Sequence, residues 1–539
     1  MTERMTAADV SFLHRETRTS PQHVGGLALF DPPPAGFDYD RLVRLLEERI
    51  TLAPRYRQKV RAVPGNVANP MWVDDPSFDI TYHVRRSALP RPGTDQQLLD
   101  FCARILARRL DRSRPLWEIY LIEGLAGGRV AVVTKTHEAM VGEDGGIDLA
   151  QVILDAAPTP RRTVEAIWVP GPEPTALHLL RDAVGGIARR PVALADAARL
   201  NARDAAAVVD RVGSLVGNVA SVGTALLRRP QHSPLAVSLS EHRRLAVART
   251  RLDDYRRVRE TFGGTVNDVV LAVVAGALRG WLLARAEALR PATTVRALVP
   301  VSVTDTAADT AAAAVAGDGR ADADPLGADV ASTGVVRPLL VDLPVGEPNP
   351  VLRLAQLRYA MASHKASGRA VGAERLTSLS GFAPPTLHAL GARATGGLTR
   401  RMFSLVVTNV PGPQFPLYAA GARMTEMFPI QPLADGQALS IALSSYDRGV
   451  YFGINGDRDA VADIALLPGL VEESLAELVA AAAEPVAARA AGATGWQDTA
   501  AATRAAPGSR RRPPRGGDSP ATSPSTTSSK PSRPPEDRT

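Results

Sequence analysis

Apolar and polar positions change their spacing several times along the first 155 residues, and each change predicts a new element. Val24–Phe30 is a short, mainly apolar run of strand length, whereas Tyr39–Ile50 has apolar residues at three- and four-residue intervals, as helices do. The continuous apolar run at Val130–Val133 predicts a buried strand over Val130–Thr136. The alternation of strands and helices indicates a mixed α/β fold.

Similar patterning returns near Leu245 and predicts a second domain, with a helix over Val266–Leu283 and a strand over Val295–Val303. A chain of 539 residues is too long for one compact core. We therefore predict an N-terminal domain over 1–157 and a C-terminal domain over 245–486. Both are expected to be α/β (mixed α+β). Further elements are predicted over Pro338–Leu343, Val351–Ala362, Ser404–Thr408, Leu439–Ser445, Val450–Ile454 and Leu466–Ala483.

Three segments outside the two domains have a different composition. Residues 158–244 begin with prolines and continue as an Ala-, Val- and Arg-rich region with helical spacing, which predicts a linker and an amphipathic helical region. Its apolar stripe and arginines fit either an anionic membrane surface or a connecting helix packed on the protein body. Residues 304–335 have almost no large apolar side chains and predict a loop, and 487–539 predict a disordered basic tail.

Charge and cysteine content exclude several classes of function. The net charge is +7, but part of it comes from the C-terminal tail, so we expect no nucleic-acid partner. The single Cys102 excludes a disulfide framework and a cysteine metal cluster, and we expect a buried, inert thiol in a helix. The sequence shows neither a secretory signal nor an apolar run of the ~18–20 residues that span a bilayer. We expect a cytoplasmic protein and leave open peripheral contact with the inner membrane face or lipid droplets.

The strand predicted to end at Thr136 leads into the pair His137-Glu138 and then into a glycine-rich turn. Histidine suits general base catalysis because its ordinary pKa of about 6.5 lies near physiological pH. A zinc site of the His-Glu-x-x-His type needs a second histidine at position 141, which is Val141. The segment therefore predicts an active site without a metal.

This segment resembles the His-His-x-x-x-Asp-Gly signature of the bacterial wax ester synthase/diacylglycerol acyltransferase family. Four other segments are also similar to motifs of that family, and they occur in the family order over roughly residues 5–485. The five separate matches make a chance resemblance improbable. The four segments are Arg114–Glu118, Thr265–Ala272, Arg296–Val303 and Thr408–Pro413, and single residues around Phe12, His23 and Phe78 also fit.

The resemblance implies two domains like those of chloramphenicol acetyltransferase, with the active site at their interface. It implies an acyl-CoA-dependent O-acyltransferase that transfers a long-chain acyl group to diacylglycerol or a fatty alcohol, in triacylglycerol or wax ester synthesis. Acyl-CoA would be a co-substrate, and no cofactor is expected. The competing hypothesis is a catalytically impaired paralogue that binds acyl-CoA or neutral lipid without efficient turnover.

In the ungapped alignment His137 stands at the first histidine of the signature, and Glu138 at the second, which the resemblance implies is the general base. Gly142 and Glu143 then replace the Asp-Gly pair. A two-residue shift to Asp144-Gly145 is rejected because it loses the family spacing of the residues that follow. Glu138 is the predicted base, because a buried carboxylate can accept a proton at neutral pH, and His137 is the alternative base.

Four other residues are predicted to bind substrate or shape the site. Asn267 is the candidate donor to the thioester oxyanion, but Asn267 and Asp268 also fit a helix N-terminal cap followed by an acid. Trp117 is a candidate substrate contact, although a core position is favoured because large aromatic side chains are mostly buried. Gly142 is expected to shape the turn after His137.

Overall fold

The computed structural model describes residues 3–33, 36–66, 68–141, 149–161, 168–179, 181, 233–302, 336–367 and 403–484. Several predictions from the sequence lie outside these residues. They are the amphipathic stripe of the region 158–244, the loop 304–335, the basic tail 487–539 and Gly142.

The described secondary structure consists of strands and helices in alternation, with short 3-10 turns between them. The strands are β1 (Glu3–Arg4), β2 (His23–Asp31), β3 (Gln58–Arg61), β4 (Met71–Asp74), β5 (Val84–Ala88), β6 (Trp117–Glu123), β7 (Val130–His137), β8 (Arg243–Arg251), β9 (Val295–Ser302), β10 (Val336–Leu343), β11 (Leu405–Pro411), β12 (Tyr418–Ala419), β13 (Ala422–Ile430), β14 (Leu439–Tyr446) and β15 (Gly449–Asp457). The α-helices are α1 (Ala7–Arg15), α2 (Tyr39–Arg49), α3 (Ile80–His83), α4 (Asp95–Ala107), α5 (Leu149–Ile153), α6 (Leu252–Phe262), α7 (Val266–Ala284), α8 (Pro350–Ser367) and α9 (Leu467–Ala483).

Two six-stranded sheets form the framework, and a three-stranded sheet of β1, β4 and β3 accompanies them. The first large sheet has the order β12-β13-β2-β7-β6-β5, and the second has the order β10-β9-β11-β14-β15-β8. Both six-stranded sheets contain parallel and antiparallel pairs, as in β5 with β6 and β2 with β7 in the first sheet and β11 with β14 and β14 with β15 in the second. This arrangement confirms the predicted mixed α/β fold.

Strands β12 and β13 come from the second half of the chain but belong to the first sheet. Strand β13 runs antiparallel to β2, and Phe428, Pro429 and Ile430 lie opposite Leu27, Gly26 and Gly25. The segment that follows β13 therefore passes from the first sheet to β14 in the second sheet. This crossover brings residues of both halves of the chain together beside the end of β7.

Helix α7 is the core of the second half. Its residues Val269–Ala275 are all buried, and they pack with the inner faces of the second sheet. Among the described residues it is the only helix that is long and apolar enough to cross a membrane. Two thirds of its most apolar window (67%) is buried inside the fold, as is typical of a core helix in a folded domain.

Most of the predicted elements that lie in the described residues are present within a few residues of the predicted bounds. Strand β7 ends one residue later than predicted, at His137. Cys102 lies fully buried in α4, and burial raises the pKa of its thiol to about 12, which agrees with the predicted inert thiol. The strands β6 and β13, which both bear on the site, are among those that were not predicted from the sequence.

Candidate active site

Strand β7, an interior strand of the first sheet, ends at His137, and Glu138 begins the 3-10 turn Glu138–Met140 that follows it. The His137 Nδ1 atom accepts a hydrogen bond from the Ala139 backbone N–H at 3.0 Å. The backbone N–H of Glu138 donates to the Gln22 carbonyl at 3.0 Å. The strand ends at His137, and these two hydrogen bonds hold the backbone of the turn that begins at Glu138.

The buried imidazole of His137 is held in its neutral form. Burial, followed by the charge of Arg112, lowers the pKa of His137 to about 3. Because Nδ1 accepts the Ala139 N–H, the network assigns the hydrogen of the neutral ring to Nε2. In this arrangement Nε2 is a hydrogen-bond donor, and it has no free lone pair with which to accept a proton.

The pKa of Glu138 is shifted in the opposite direction from that of His137. Burial raises the pKa of its carboxyl group, and the charge of Arg15 and a hydrogen bond from Gln431 offset only part of that rise. The Gln431 Nε2 atom donates to Glu138 Oε1 at 3.1 Å. A carboxylate with a raised pKa is a stronger proton acceptor than an ordinary one, so Glu138 has the property that a general base needs.

Gln431 reaches Glu138 from the second half of the chain, directly after β13. Its backbone carbonyl accepts hydrogen bonds from Ser440 Oγ at 2.8 Å and from Asn455 Nδ2 at 2.9 Å. Ser440 and Asn455 lie on β14 and β15 in the second sheet. Glu138 therefore lies where the two sheets meet, the place that the sequence resemblance implies for the active site.

Asn267 and Asp268 lie at the N-terminus of α7. Asp268 and Thr265 form a capping box, in which the Thr265 N–H donates to Asp268 Oδ2 at 2.8 Å and the Asp268 N–H donates to Thr265 Oγ1 at 3.2 Å. Asn267 Oδ1 accepts a hydrogen bond from Asn409 Nδ2 at 3.2 Å, so two of the family-like motifs touch. Within the described hydrogen bonds neither residue contacts His137 or Glu138, and their roles in the site stay predictions.

Trp117 is fully buried on β6, directly opposite Thr136 of β7. Its Nε1 donates to the Tyr56 carbonyl at 2.7 Å, and its ring stacks on His83 with centroids 4.5 Å apart. These contacts are those of a core side chain, and Trp117 packs beside the last residues of β7 through the pairing of β6 with β7. Contact between Trp117 and substrate stays a prediction.

Several residues around the pair were not among the predicted site residues. Gln22 and Gln431 hold Glu138, and Arg112 binds the carboxylate of Glu16. His23 lies opposite His137 in the pairing of β2 with β7. The antiparallel pairing of two predicted strands could have indicated His23, whereas Gln431 follows a strand that the sequence pattern did not predict. No group of three or more His, Cys, Asp or Glu side chains in the described part of the chain is arranged to hold a metal ion.

Comparisons with known proteins agree with this architecture. A sequence profile of the wax ester synthase/diacylglycerol acyltransferase (WS/DGAT) catalytic domain matches residues 5–270. A second profile, of the WS/DGAT C-terminal domain, matches residues 336–479. "Probable diacyglycerol O-acyltransferase tgs2" of Mycobacterium tuberculosis is 34% identical over 494 residues, which cover 88% of this chain and 98% of that protein. "Probable diacyglycerol O-acyltransferase tgs3" of the same organism is 43% identical over 266 residues, 49% of this chain and 97% of that protein.

A solved structure extends the likeness to the fold. The wax ester synthase/diacylglycerol acyltransferase from Marinobacter aquaeolei VT8 superimposes with a TM-score of 0.61 and 26% sequence identity, over 89% of this chain and 100% of that one. The profile matches, the near full-length relatives and the shared fold lead to one conclusion. This chain belongs to the wax ester synthase/diacylglycerol acyltransferase family.

Proposed function

We propose that this protein transfers a long-chain acyl group from an acyl-CoA thioester to the hydroxyl group of diacylglycerol or a fatty alcohol, and so forms triacylglycerol or wax ester. Membership of an acyltransferase family supports the reaction class, and the names of the mycobacterial relatives support a diacylglycerol acceptor. Acyl-CoA and the lipid alcohol are the proposed partners, and we propose no cofactor beyond the co-substrate.

Glu138 is the proposed general base, and its position carries the proposal. Its carboxyl group lies at the meeting point of the two sheets, has a raised pKa and is oriented by Gln431 from the opposite half of the chain. His137 is the weaker candidate, because its Nδ1 is occupied by the Ala139 N–H and its neutral tautomer carries the hydrogen on Nε2. In the proposed reaction His137 orients the turn, and Glu138 handles the proton.

The reaction follows from that assignment. Glu138 accepts the proton of the acceptor hydroxyl while the hydroxyl oxygen forms a bond to the thioester carbonyl carbon. The tetrahedral intermediate breaks the bond between that carbon and the sulfur, and the CoA thiolate leaves. The protonated Glu138 returns its proton to the thiolate, so the enzyme ends the cycle unchanged. Asn267 remains the proposed donor to the oxyanion.

The test of the proposed function is turnover by the purified protein. We expect palmitoyl-CoA with dioleoylglycerol or hexadecanol to give free CoA and an equal amount of the new ester. Absence of turnover in the unmodified protein, together with turnover gained by Glu138→His, would contradict the proposal. That result would favour the competing hypothesis of a paralogue that binds acyl-CoA or neutral lipid.

A cytoplasmic location with peripheral contact to a membrane or lipid droplet is part of the proposal, because the proposed acceptors and products are water-insoluble. We expect the full chain to sediment with vesicles that contain anionic lipid and diacylglycerol. A protein that stays in the supernatant with every vesicle composition would contradict this part of the proposal alone.

A further inference from the structure

Three buried polar atoms lie close together next to the turn Glu138–Met140, and none of them has a hydrogen-bond partner among the described residues. They are Glu16 Oε1, His23 Nε2 and His137 Nε2. Glu16 Oε1 lies 3.8 Å from His23 Nε2 and 3.9 Å from His137 Nε2, and the three side chains are at most 1% exposed. The distances are too long for direct hydrogen bonds.

The fold holds each of these side chains in place. His23 is the first residue of β2 and His137 the last residue of β7, and the two lie opposite each other in the sheet. Glu16 follows the last turn of α1, and its Oε2 accepts hydrogen bonds from Arg112 Nε at 3.1 Å and Nη2 at 2.6 Å. Arg112 therefore fixes one oxygen of the carboxylate and leaves the other directed at the two imidazoles.

The geometry and the donor set indicate the chemistry of a ligand. An oxygen about 2.8 Å from each of two atoms that are nearly 4 Å apart can bond to both. A hydroxyl group has one donor and two acceptor lone pairs, so it can donate to Glu16 Oε1 and accept from the Nε2–H group of His137, with a second lone pair left for His23 when that ring carries its hydrogen on Nε2. A metal ion does not fit, because the Nε2 atom of His137 carries the hydrogen and has no lone pair to offer.

We propose that Glu16, His23 and His137 form a buried site for one hydroxyl oxygen, which links the Glu16 carboxylate to the His137 ring. The same ring accepts the Ala139 N–H, so the linked hydroxyl holds the turn that presents Glu138. Glu16 and His23 are thus positioning residues. The effect of Glu16 and His23 on catalysis rests on the proposed function. The presence of a hydroxyl oxygen between the three side chains does not depend on it.

A crystal structure of the full chain tests occupation of the site. We expect one density peak within hydrogen-bond distance of all three atoms. An isolated peak in crystals grown with and without 1-dodecanol identifies the oxygen as water, whereas density that continues into an alkyl chain would put the acceptor hydroxyl on Glu16 and overturn the positioning role. A protein side chain in that position, or direct contact between Glu16 and the imidazoles, would overturn the proposal.

Variants test the positioning role. We expect Glu16→Ala to lower kcat roughly 10- to 100-fold with KM changed less than about twofold, as for a misplaced catalytic group. Glu16→Gln keeps an acceptor oxygen and should retain more activity. Glu3→Gln, which removes the exposed ion pair of Glu3 with Arg55, is the matched control and should leave kcat unchanged.

The imidazole tautomer provides a readout that does not need turnover. In ¹⁵N-histidine NMR we expect His137, assigned with His137→Gln, to be the Nε2–H tautomer in the unmodified protein and a tautomer mixture in Glu16→Ala. An unchanged tautomer and an unchanged kcat in Glu16→Ala would overturn the positioning role. If the unmodified protein shows no turnover but the tautomer changes as expected, the proposed function fails and the buried site stands.

Discussion

Two neighbouring residues, His137 and Glu138, have opposite protonation behaviour although both are largely enclosed. Burial disfavours the charged form of each, which lowers the pKa of the imidazole to about 3 and raises the pKa of the carboxyl group. His137 is therefore neutral throughout the physiological range, whereas the pKa of Glu138 is shifted upward from its ordinary value. In the proposed assignment, a carboxylate whose environment raises its pKa stands where the resemblance implies a histidine base.

The pH dependence of kcat follows from this difference. We expect kcat to rise with pH on the acid side as Glu138 loses its proton, with an apparent pKa above the ordinary glutamate value of about 4.5. The rising limb should be absent in the residual activity of Glu138→Gln and should persist in His137→Gln. A limb that disappears only in His137→Gln would assign the base to His137 instead.

The stability of the protein should depend on Glu138 in a direction that the raised pKa fixes. A carboxyl group whose pKa is higher in the folded state stabilises the fold at low pH, and this contribution is lost as pH rises through the folded-state pKa. Glu138→Gln removes the buried charge, so we expect its Tm to exceed that of the parent by roughly 1–3 °C at pH 8. The two Tm values should converge near pH 4. A lower Tm for the variant at pH 8 would contradict the assigned burial.

At the scale of elements, the crossover of β13 determines where the two halves meet. Strand β15 approaches this segment so closely that a Cβ atom on Gly453 would overlap the Pro429 carbonyl oxygen. Gln431 follows two residues later and contacts Glu138. The absence of a side chain at Gly453 therefore allows the spacing that places Gln431 in the site.

Gly453→Ala should push the two strands apart. We expect it to lower the free energy of unfolding by about 1–3 kcal/mol or more, because overpacking forces the backbone to move. Urea denaturation measures the change, and kcat should fall with it as Gln431 is displaced. Gly469→Ala is the control, because nothing lies within 4 Å of a Cβ there, and alanine favours the helix α9 that contains it. Equal stability of Gly453→Ala and Gly469→Ala would contradict the close approach.

The sequence predicted the elements with a clear apolar run or helical spacing. It missed strands such as β13, which pairs with a strand far away in the chain. The apolar run of β7 and the long apolar stretch of α7 are recognisable because these elements are buried along nearly their whole length, and β2 is recognisable from its mainly apolar residues over a strand length. Strand β13 contains Arg423, Glu426 and Pro429 and a register shift between Met424 and Glu426, which interrupt the alternation. Its place in the first sheet depends on a crossover that local pattern cannot indicate.

At the scale of the whole molecule, the site is a product of both halves. The strand end that carries His137 and Glu138 could be predicted from the sequence, and the structure places it at the junction of the sheets. Asn267 and Asn409, from two separate motifs, meet at the N-terminus of α7, a contact that spacing alone does not reveal. The residues that adjust Glu138, namely Arg15, Gln22 and Gln431, are distant in sequence, so only the assembled fold brings them together.

The link between the two halves can be tested at Gln431. We expect Gln431→Ala to lower kcat by roughly 10-fold, because Glu138 loses the hydrogen bond that orients it, and to leave the fold intact. Gln414→Ala, at an exposed glutamine of the same half, is the matched control. Wild-type kcat in Gln431→Ala would show that Glu138 does not need orientation from the second half.

The central claim is acyl transfer with Glu138 as general base, and the most direct measurement is kcat for CoA release by the unmodified protein and by Glu138→Gln. We predict that the variant, folded to the same extent by circular dichroism, loses about 10²- to 10⁴-fold in kcat. The surface control Glu3→Gln should stay within about twofold of the parent. A Glu138→Gln variant that releases CoA and forms ester at the parental rate would contradict the account.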